Sequence, residues 1–294
     1  MVWLIGCKGM LGTEIARQIT ENRIDYIGTD IDVDITNPQA LAEFVKGKEI
    51  TYIVNCSAYT AVDKAESDAE FAKRLNEDGT RNIANLANQI HAKIIHISTD
   101  YVFDGTASSP YTEDMQIAPI GVYGKTKAAG ESAIRQNLYE YYIIRTAWLY
   151  GWAGNNFVYT MIKAMNTHDS VKVVNDQKGT PTFAGDLAGV IIKIIQKQNV
   201  PYGTYHCTDL GEITWWDFTN EIKKQGLELG LITNKDCVVN PCSTDEYPTP
   251  AKRPAYSVLS KAKIQKILGI SLPDWKDSLA VFLKSELFEK ERIL

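Results

Sequence analysis

The sequence predicts an α/β protein, a doubly wound and mostly parallel sheet followed by a smaller C-terminal α/β domain. Three observations carry this. Short apolar, β-rich runs recur through the first half of the 294 residues, and the segments between them are mostly long enough for a helix. A glycine-rich turn joins the first run to the first helical segment. Beyond about residue 150 the rhythm changes, with a loop-like Gly151-Trp152-Ala153-Gly154-Asn155-Asn156 and more Pro and Trp toward the C-terminus.

Taken in order, the predicted strands are Val2–Ile5, Tyr26–Thr29, Tyr52–Asn55, Ile94–Ser98 and Tyr142–Arg145. The helical segments between them are Leu11–Glu21, Pro38–Lys46, Phe71–His91 and Lys125–Asn137. The third places Leu75, Ile83, Leu86 and Ala87 on one helical stripe. Residues 1–150 therefore read as one domain and 151–294 mainly as a second. The boundary is soft: Val171–Asn175 resembles a further buried strand and Asp186–Lys197 a helix, so a segment near 171–200 can return to the first domain.

Composition narrows the functional classes. With 31 Lys+Arg against 36 Asp+Glu, a net charge of -5 and no run of about five or six like charges, a nucleic-acid surface is not expected, although a local basic pocket for a small anion is compatible. No stretch reaches the ~18 uninterrupted apolar residues of a membrane span, and a cytoplasmic protein is expected. The five scattered cysteines read as free thiols rather than a disulfide framework or zinc site.

The turn Gly6-Cys7-Lys8-Gly9-Met10-Leu11-Gly12 follows the first strand and opens the first helix. In that context Gly6, Gly9 and Gly12 allow a tight turn and a close backbone approach to a pyrophosphate, whose charge is favoured at a helix N-terminus. The first domain is thus read as a Rossmann-type dinucleotide-binding domain. Its G-x-x-G-x-x-G spacing resembles that of extended short-chain dehydrogenases/reductases. Asp30 ends the second strand, where a carboxylate can accept from an adenosine ribose and favour NADH, but Asp30, Asp32 and Asp34 also read as solvated loop acids. NADH and NADPH both stay open.

Tyr123 and Lys127 form Tyr-x-x-x-Lys at the start of a helix, and the i, i+4 spacing puts both side chains on one face. A lysine charge can lower the phenol pKa toward working pH and make Tyr123 a proton donor or acceptor. Thr99 closes the strand Ile94–Ser98 at the carboxyl edge of the sheet and is the natural third member, its hydroxyl placed to bond a reacting carbonyl oxygen. Asp100 beside it can hold a sugar hydroxyl. A turn cap is the plain alternative for this Thr-Asp pair.

Longer runs resemble the dTDP-4-dehydrorhamnose reductase family over essentially the whole chain. They are Val54-Asn55-Cys56-Ser57-Ala58-Tyr59-Thr60-Ala61-Val62-Asp63-Lys64-Ala65-Glu66, Ser98-Thr99-Asp100-Tyr101-Val102-Phe103-Asp104-Gly105, Val122-Tyr123-Gly124-Lys125-Thr126-Lys127, Arg145-Thr146-Ala147-Trp148, Asp176-Gln177-Lys178-Gly179-Thr180-Pro181-Thr182 and Tyr247-Pro248-Thr249-Pro250-Ala251-Lys252-Arg253-Pro254. The resemblance implies hydride transfer from NADPH or NADH to the C4 keto carbon of dTDP-4-dehydro-L-rhamnose, giving dTDP-L-rhamnose, with Tyr123 as proton donor tuned by Thr99; reduction of another nucleotide 4-keto-sugar is the alternative. It implies that Gly9, Met10 and Leu11 meet the pyrophosphate, Asp34 and Ile35 the adenine end, and Ala58, Tyr59 and Thr60 the ribose and nicotinamide side. Thr99, Asp100 and Trp148 would contact the sugar nucleotide. Arg253 is a physical candidate for the diphosphate, since a guanidinium grips phosphate bidentately, and a structural salt bridge is the equal alternative. The tryptophans Trp148, Trp152, Trp215 and Trp216 read either as stacking platforms or as core.

Two departures qualify the transfer. Cys56-Ser57 stands where the family commonly has Ala-Ala, and Gly185-Asp186 does not supply a glutamate that some members use with a residue like Glu14 to hold Mg²⁺ between subunits. Mg²⁺ is therefore not expected, and monomer and homodimer both stay open. Competing readings are a nucleotide-sugar epimerase or dehydratase, the latter disfavoured because Tyr101 occupies the place of its usual glutamate, and a non-catalytic regulatory subunit like that of methionine adenosyltransferase.

Overall fold

The computed structural model describes residues 1–293. The first half runs β1 (Val2–Ile5), α1 (Met10–Glu21), β2 (Tyr26–Thr29), α2 (Pro38–Val45), β3 (Tyr52–Asn55), α3 (Val62–Ala65), α4 (Ala69–Lys73), a π-helical turn (Arg74–Gly79), α5 (Thr80–Gln89), β4 (Lys93–Thr99), α6 (Val122–Asn137) and β5 (Tyr141–Thr146). The second half adds β6 (Leu149–Tyr150), α7 (Phe157–Thr167), β7 (Ser170–Val174), β8 (Lys178–Gly179), β9 (Thr182–Phe183), α8 (Ala184–Gln196), β10 (Gly203–His206), β11 (Ile213–Thr214), α9 (Trp215–Glu228), β12 (Val238–Cys242), α10 (Ala262–Leu268) and α11 (Trp275–Lys284). All five predicted strands are present.

Six strands form one sheet in the order β10-β5-β4-β3-β1-β2, and every neighbouring pair is parallel. Successive side chains point to opposite faces, so Val2, Leu4, Val54, Ile95 and Ile144 enter one core while Trp3, Ile5, Ile53, Ile94 and Ile143 enter the other. Because both faces are covered, the strands read as continuous apolar runs. On the first face α1 and α8 supply Leu11, Ile15, Ile19, Leu187 and Ile191; on the second, α2, α5 and α6 supply Leu41, Val45, Ile83, Leu86 and Ile134. Strand order reverses between β1 and its two neighbours, and such a switch point opens a crevice at the carboxyl ends of the strands.

A separate aromatic core, with Tyr150, Phe183, Phe218, Trp275 and Phe282, holds the smaller C-terminal α/β region together. The chain returns to the main sheet through α8 and β10 before leaving it again. Two local readings differ. The segment read as a buried strand at Val171–Asn175 is β7, which pairs only with β12 and buries Val173 alone. The single helix read over Phe71–His91 is instead α4, a π turn and α5, because the turn carries Asn76, a buried polar side chain that bonds outside its own helix. All five cysteines are free, and no helix among the described residues is long and apolar enough to cross a membrane.

Candidate active site

The crevice begins at the glycine turn. Gly6 adopts φ +78°, and a Cβ there would lie 2.9 Å from the Ser57 backbone nitrogen; a Cβ on Gly12 would lie 2.0 Å from the Gly6 carbonyl oxygen. Only hydrogen side chains let β1, the turn and β3 come this close. Gly9 caps α1 without any side-chain hydrogen bond. The first amides of α1 therefore keep donors for an anion, at the positive end of the helix.

Two cavities meet at this turn and share Gly9, Cys56 and Ala58. The outer one, about 610 Å³, is lined by Gly6, Asp30, Asp34 and Ile35, together with Phe71 and Arg74, which sequence reasoning did not single out. Asp30 is already engaged, accepting from the Lys8 backbone N–H at 3.0 Å, and Asp34 accepts from the Thr36 N–H and hydroxyl, each at 2.8 Å. Both acids thus order the loop that borders the cavity. Ile35 is buried against Gly79.

The inner cavity, about 520 Å³, brings together Met10, Leu11, Gly12, Thr60, Thr99, Asp100, Tyr123, Lys127, Trp148 and Arg253. They arrive from the α1 turn, the loop after β3, the end of β4, the first turns of α6, and the C-terminal region. Thr99 donates to Asp100 Oδ1 at 2.9 Å and shares a hydrogen bond with Tyr123. With its proton given to Asp100, the Thr99 oxygen accepts from the Tyr101 backbone N–H at 3.1 Å. Burial pushes the Tyr123 phenol above its ordinary value; Thr99 pulls it back, and Asp100 and Tyr101 push it further up. The lowering by Lys127 expected from the sequence is not among these influences. Its Nζ is turned to the sheet, 2.6 Å from the Ile97 carbonyl oxygen and 3.3 Å from His96 Nε2. Burial lowers Lys127 to about 8, against raising by Glu131 and Cys56. Burial likewise raises Asp100 to about 6, with hydrogen bonds from Ser257 and Thr99 opposing it.

The remaining predicted residues fall as follows. Trp148, at φ +46°, stacks on Trp215 with ring centroids 3.6 Å apart, and both rings line the inner cavity. Arg253 lines it too while bonding Asp63 at 2.6 Å and the Tyr101 hydroxyl at 2.8 Å, so salt bridge and cavity wall are one residue. Tyr59 lines neither cavity: its N–H donates to Asn76 Oδ1 at 2.8 Å, and Asn76 donates back to the Tyr59 carbonyl at 3.2 Å. Asn76 therefore pins the loop that carries Ala58 and Thr60, a role whose only trace in the sequence is a polar residue beside the apolar stripe. Glu14 is paired with Arg17 at 2.5 Å and accepts from Gln18 at 2.8 Å, and no group of three or more metal-binding side chains occurs among the described residues.

A parallel sheet with a glycine turn at its switch point, a strand-end Thr and a Tyr-x-x-x-Lys helix opening onto one cavity define an extended short-chain dehydrogenase/reductase. Comparison with known proteins specifies the branch. The family described as RmlD substrate binding domain matches residues 1–288. The dTDP-4-dehydrorhamnose reductase of Escherichia coli K12 is 39% identical over 298 residues, covering 98% of this chain and 98% of that protein. A crystal structure of a dTDP-4-dehydrorhamnose reductase from Clostridium acetobutylicum superposes with TM-score 0.90 at 45% identity, covering 96% of this chain and 98% of the other. Another from Bacillus anthracis, in complex with NADP, gives TM-score 0.88 at 36% identity with coverages of 96% and 98%. The chain belongs to the RmlD family of dTDP-4-dehydrorhamnose reductase homologues.

Proposed function

We propose that this protein reduces the C4 carbonyl of dTDP-4-dehydro-L-rhamnose with NAD(P)H, in the cytoplasm, to give dTDP-L-rhamnose. The observation that carries the reading is the junction of the two cavities. One is built for a dinucleotide around an uncapped helix N-terminus, and it shares a wall with a second that holds a protonated phenol. The residues fit the cofactor. The close backbone packing that Gly6 and Gly12 allow shapes the turn so that the α1 amides at Met10 and Leu11 are left free for a pyrophosphate. Bound there, a reduced nicotinamide supplies the hydride for the carbonyl carbon.

The chain's own residues supply the rest. As C4 gains the hydride, O4 develops negative charge, and Tyr123 transfers its phenolic proton to that oxygen. Burial keeps the phenol protonated across the working range, which suits a donor rather than a base. Thr99, beside the phenol, brings a second hydroxyl to the cavity, and its proton reaches the carbonyl once it turns away from Asp100. Asp100 fixes the Thr99 hydroxyl and borders the sugar, while the Trp148/Trp215 stack and Arg253 form the wall nearest the nucleotide. The guanidinium, already aligned by Asp63 and Tyr101, is placed to grip a phosphate without reorganising.

The test is turnover of purified dTDP-4-dehydrorhamnose followed by cofactor absorbance, with NADH and NADPH in parallel. One cofactor oxidised per sugar reduced supports the reading. Redox-neutral turnover would point to an epimerase or dehydratase, and no turnover beside capture of a methionine adenosyltransferase would point to a regulatory subunit.

A further inference from the structure

A line of buried polar side chains runs beneath the floor of the site and ends on Lys127. Asn55 closes β3, His96 lies opposite it in register on β4, and Lys127 reaches them from α6. Asn55 and His96 are fully buried, and neither lines the two cavities. The residues flanking them in the strands, Ile53 and Val54 on β3 and Ile94, Ile95 and Ile97 on β4, are apolar, so these two polar residues need a reason to be there.

Proton accounting along the line supplies one. Asn55 Oδ1 accepts from the Ser57 backbone N–H at 3.1 Å and from the Ser57 hydroxyl at 2.5 Å. A backbone N–H can only donate, so the amide orientation is fixed and its NH₂ faces His96 Nδ1 at 3.1 Å. Nδ1 must accept, which leaves the single proton of the neutral ring on Nε2. Nε2 stands 3.3 Å from Lys127 Nζ. An ammonium there meets Nε2–H donor against donor, whereas a neutral amine accepts from Nε2–H and still donates to the Ile97 carbonyl. The alternative tautomer only moves the clash to the Asn55 end. The chain is fully matched when Lys127 is uncharged and carries one mismatched contact when it is charged.

The other groups around Lys127 do not cancel this. Glu131, one turn along α6, favours the ammonium, but its carboxylate is already engaged by Arg145, Arg135 and Ser98. Cys56, the residue after β3, is a half-buried thiol that desolvation pushes up to about 12, so it carries no charge. His96 itself is held neutral by burial and by the lysine.

We propose that His96, locked by Asn55 in its Nε2–H tautomer, is a positioning residue that sets the protonation state of Lys127 and readies the lysine to give up its proton. This rests on the reading of Tyr123 and Lys127 as a reductase site. In the reduction, Tyr123 loses its proton to O4 and must regain one. Lys127 lines the same cavity as Tyr123, its ammonium returns that proton by way of solvent in the cavity, and the amine left behind accepts from His96 Nε2–H. A solvent proton then restores the ammonium.

Two measurements test the proposal. In protein labelled with ¹⁵N-histidine, long-range proton–nitrogen correlations report the ring state, and the His96 signals among the four histidines are those lost in His96→Gln. The expected result is the Nε2–H tautomer from about pH 6 to 9, with an Nε2 shift that inflects as Lys127 titrates; an Nδ1–H tautomer, an imidazolium or no inflection overturns the proposal. In the second, Asn55→Asp presents an acceptor to Nδ1–H, which turns Nε2 into an acceptor for the ammonium. The basic limb of the kcat profile for keto-sugar reduction should then rise by about one pH unit or more, with KM for the sugar within about twofold. An unmoved limb overturns the proposal, and His96→Gln, whose carbonyl can accept from the ammonium, makes the same test should Asn55→Asp not fold. If wild-type protein reduces no keto-sugar, the reductase reading fails while the spectra still decide the tautomer and the lysine titration.

Discussion

Replacing Tyr123 by Phe removes one oxygen and little else. The ring packs edge-on against Tyr101 with centroids 5.5 Å apart and planes at 75°, and Phe keeps that contact. The hydroxyl's one hydrogen bond, to Thr99, contributes about 1 kcal/mol, so the variant should fold and melt within a few degrees of wild type. Catalysis should respond quite differently. Loss of a general acid typically costs about 10²–10⁴ in rate, which corresponds to about 3–5 kcal/mol of transition-state stabilisation. The phenol is pushed upward by burial, so the wild-type donor stays protonated and the deficit should not narrow anywhere between about pH 6 and 8. Absorbance of NAD(P)H under saturating keto-sugar gives kcat, and cofactor fluorescence gives the dissociation constant, expected within about threefold of wild type. A kcat within about threefold of wild type would remove Tyr123 from the donor role and return attention to Asp100, the other buried acid beside Thr99.

Gly12→Ala places a methyl 2.0 Å from the Gly6 carbonyl and 2.8 Å from Cys7 Cα. The turn must open, and calorimetric NAD(P)H affinity should fall by about tenfold or more; unchanged affinity would mean the turn does not grip the pyrophosphate. Glu131→Gln strips the carboxylate from Arg145, which is 2% exposed and bonds it at 2.9 and 2.8 Å. An unpaired buried guanidinium should cost about 3–5 kcal/mol in urea unfolding, and a loss under about 1 kcal/mol would contradict that reading of the pair. Asp100 has a folded pKa of about 6 against 3.8 ordinarily. A raised acid stabilises the fold only while protonated, so this contribution is present below about pH 4 and lost as pH rises through about 6. Asp100→Asn should therefore gain up to about 3 kcal/mol over wild type at pH 8 and nothing at pH 4; melting curves showing the gain at pH 4 instead would refute the assignment.

Most of the fold was legible in the residues because a parallel sheet covered on both faces advertises itself. Trp3 and Ile5 serve one core and Val2 and Leu4 the other, so each strand shows as an unbroken apolar run and each covering helix as a stripe. The glycine turn, Thr99 and the Tyr123/Lys127 pair were legible for a related reason: their chemistry depends on neighbours in sequence or on the end of a strand. What stayed hidden depends on neighbours in space. Phe71 on α4 and Arg74 at the start of the π turn line the outer cavity beside the loop that follows β2, a neighbour in space that no spacing in the sequence announces. Arg253 could be read as phosphate ligand or salt bridge, and no spacing rule could reveal that it reaches Asp63 and the cavity together.

The same contrast explains the lysine. From the sequence, Tyr-x-x-x-Lys implies that the ammonium acts on the phenol, since i and i+4 share a helix face. In the folded protein the lysine side chain turns inward to Ile97 and His96, where a hydrogen-bond chain beginning at a Ser57 backbone N–H decides which nitrogen carries which proton. Yet the chain did leave a mark in the sequence. Asn55 in Tyr-Ile-Val-Asn and His96 in Lys-Ile-Ile-His-Ile-Ser-Thr are polar residues in strands whose other central positions are apolar. In a sheet buried on both faces, such a residue must find a partner on the adjoining strand or helix. Because β3 and β4 run in register, Asn55 finds His96 directly across. A polar interruption of an apolar strand near its carboxyl end is thus a signal in its own right: it marks where the sheet supports the site from below, as the strand-end threonine marks where the sheet meets it from above.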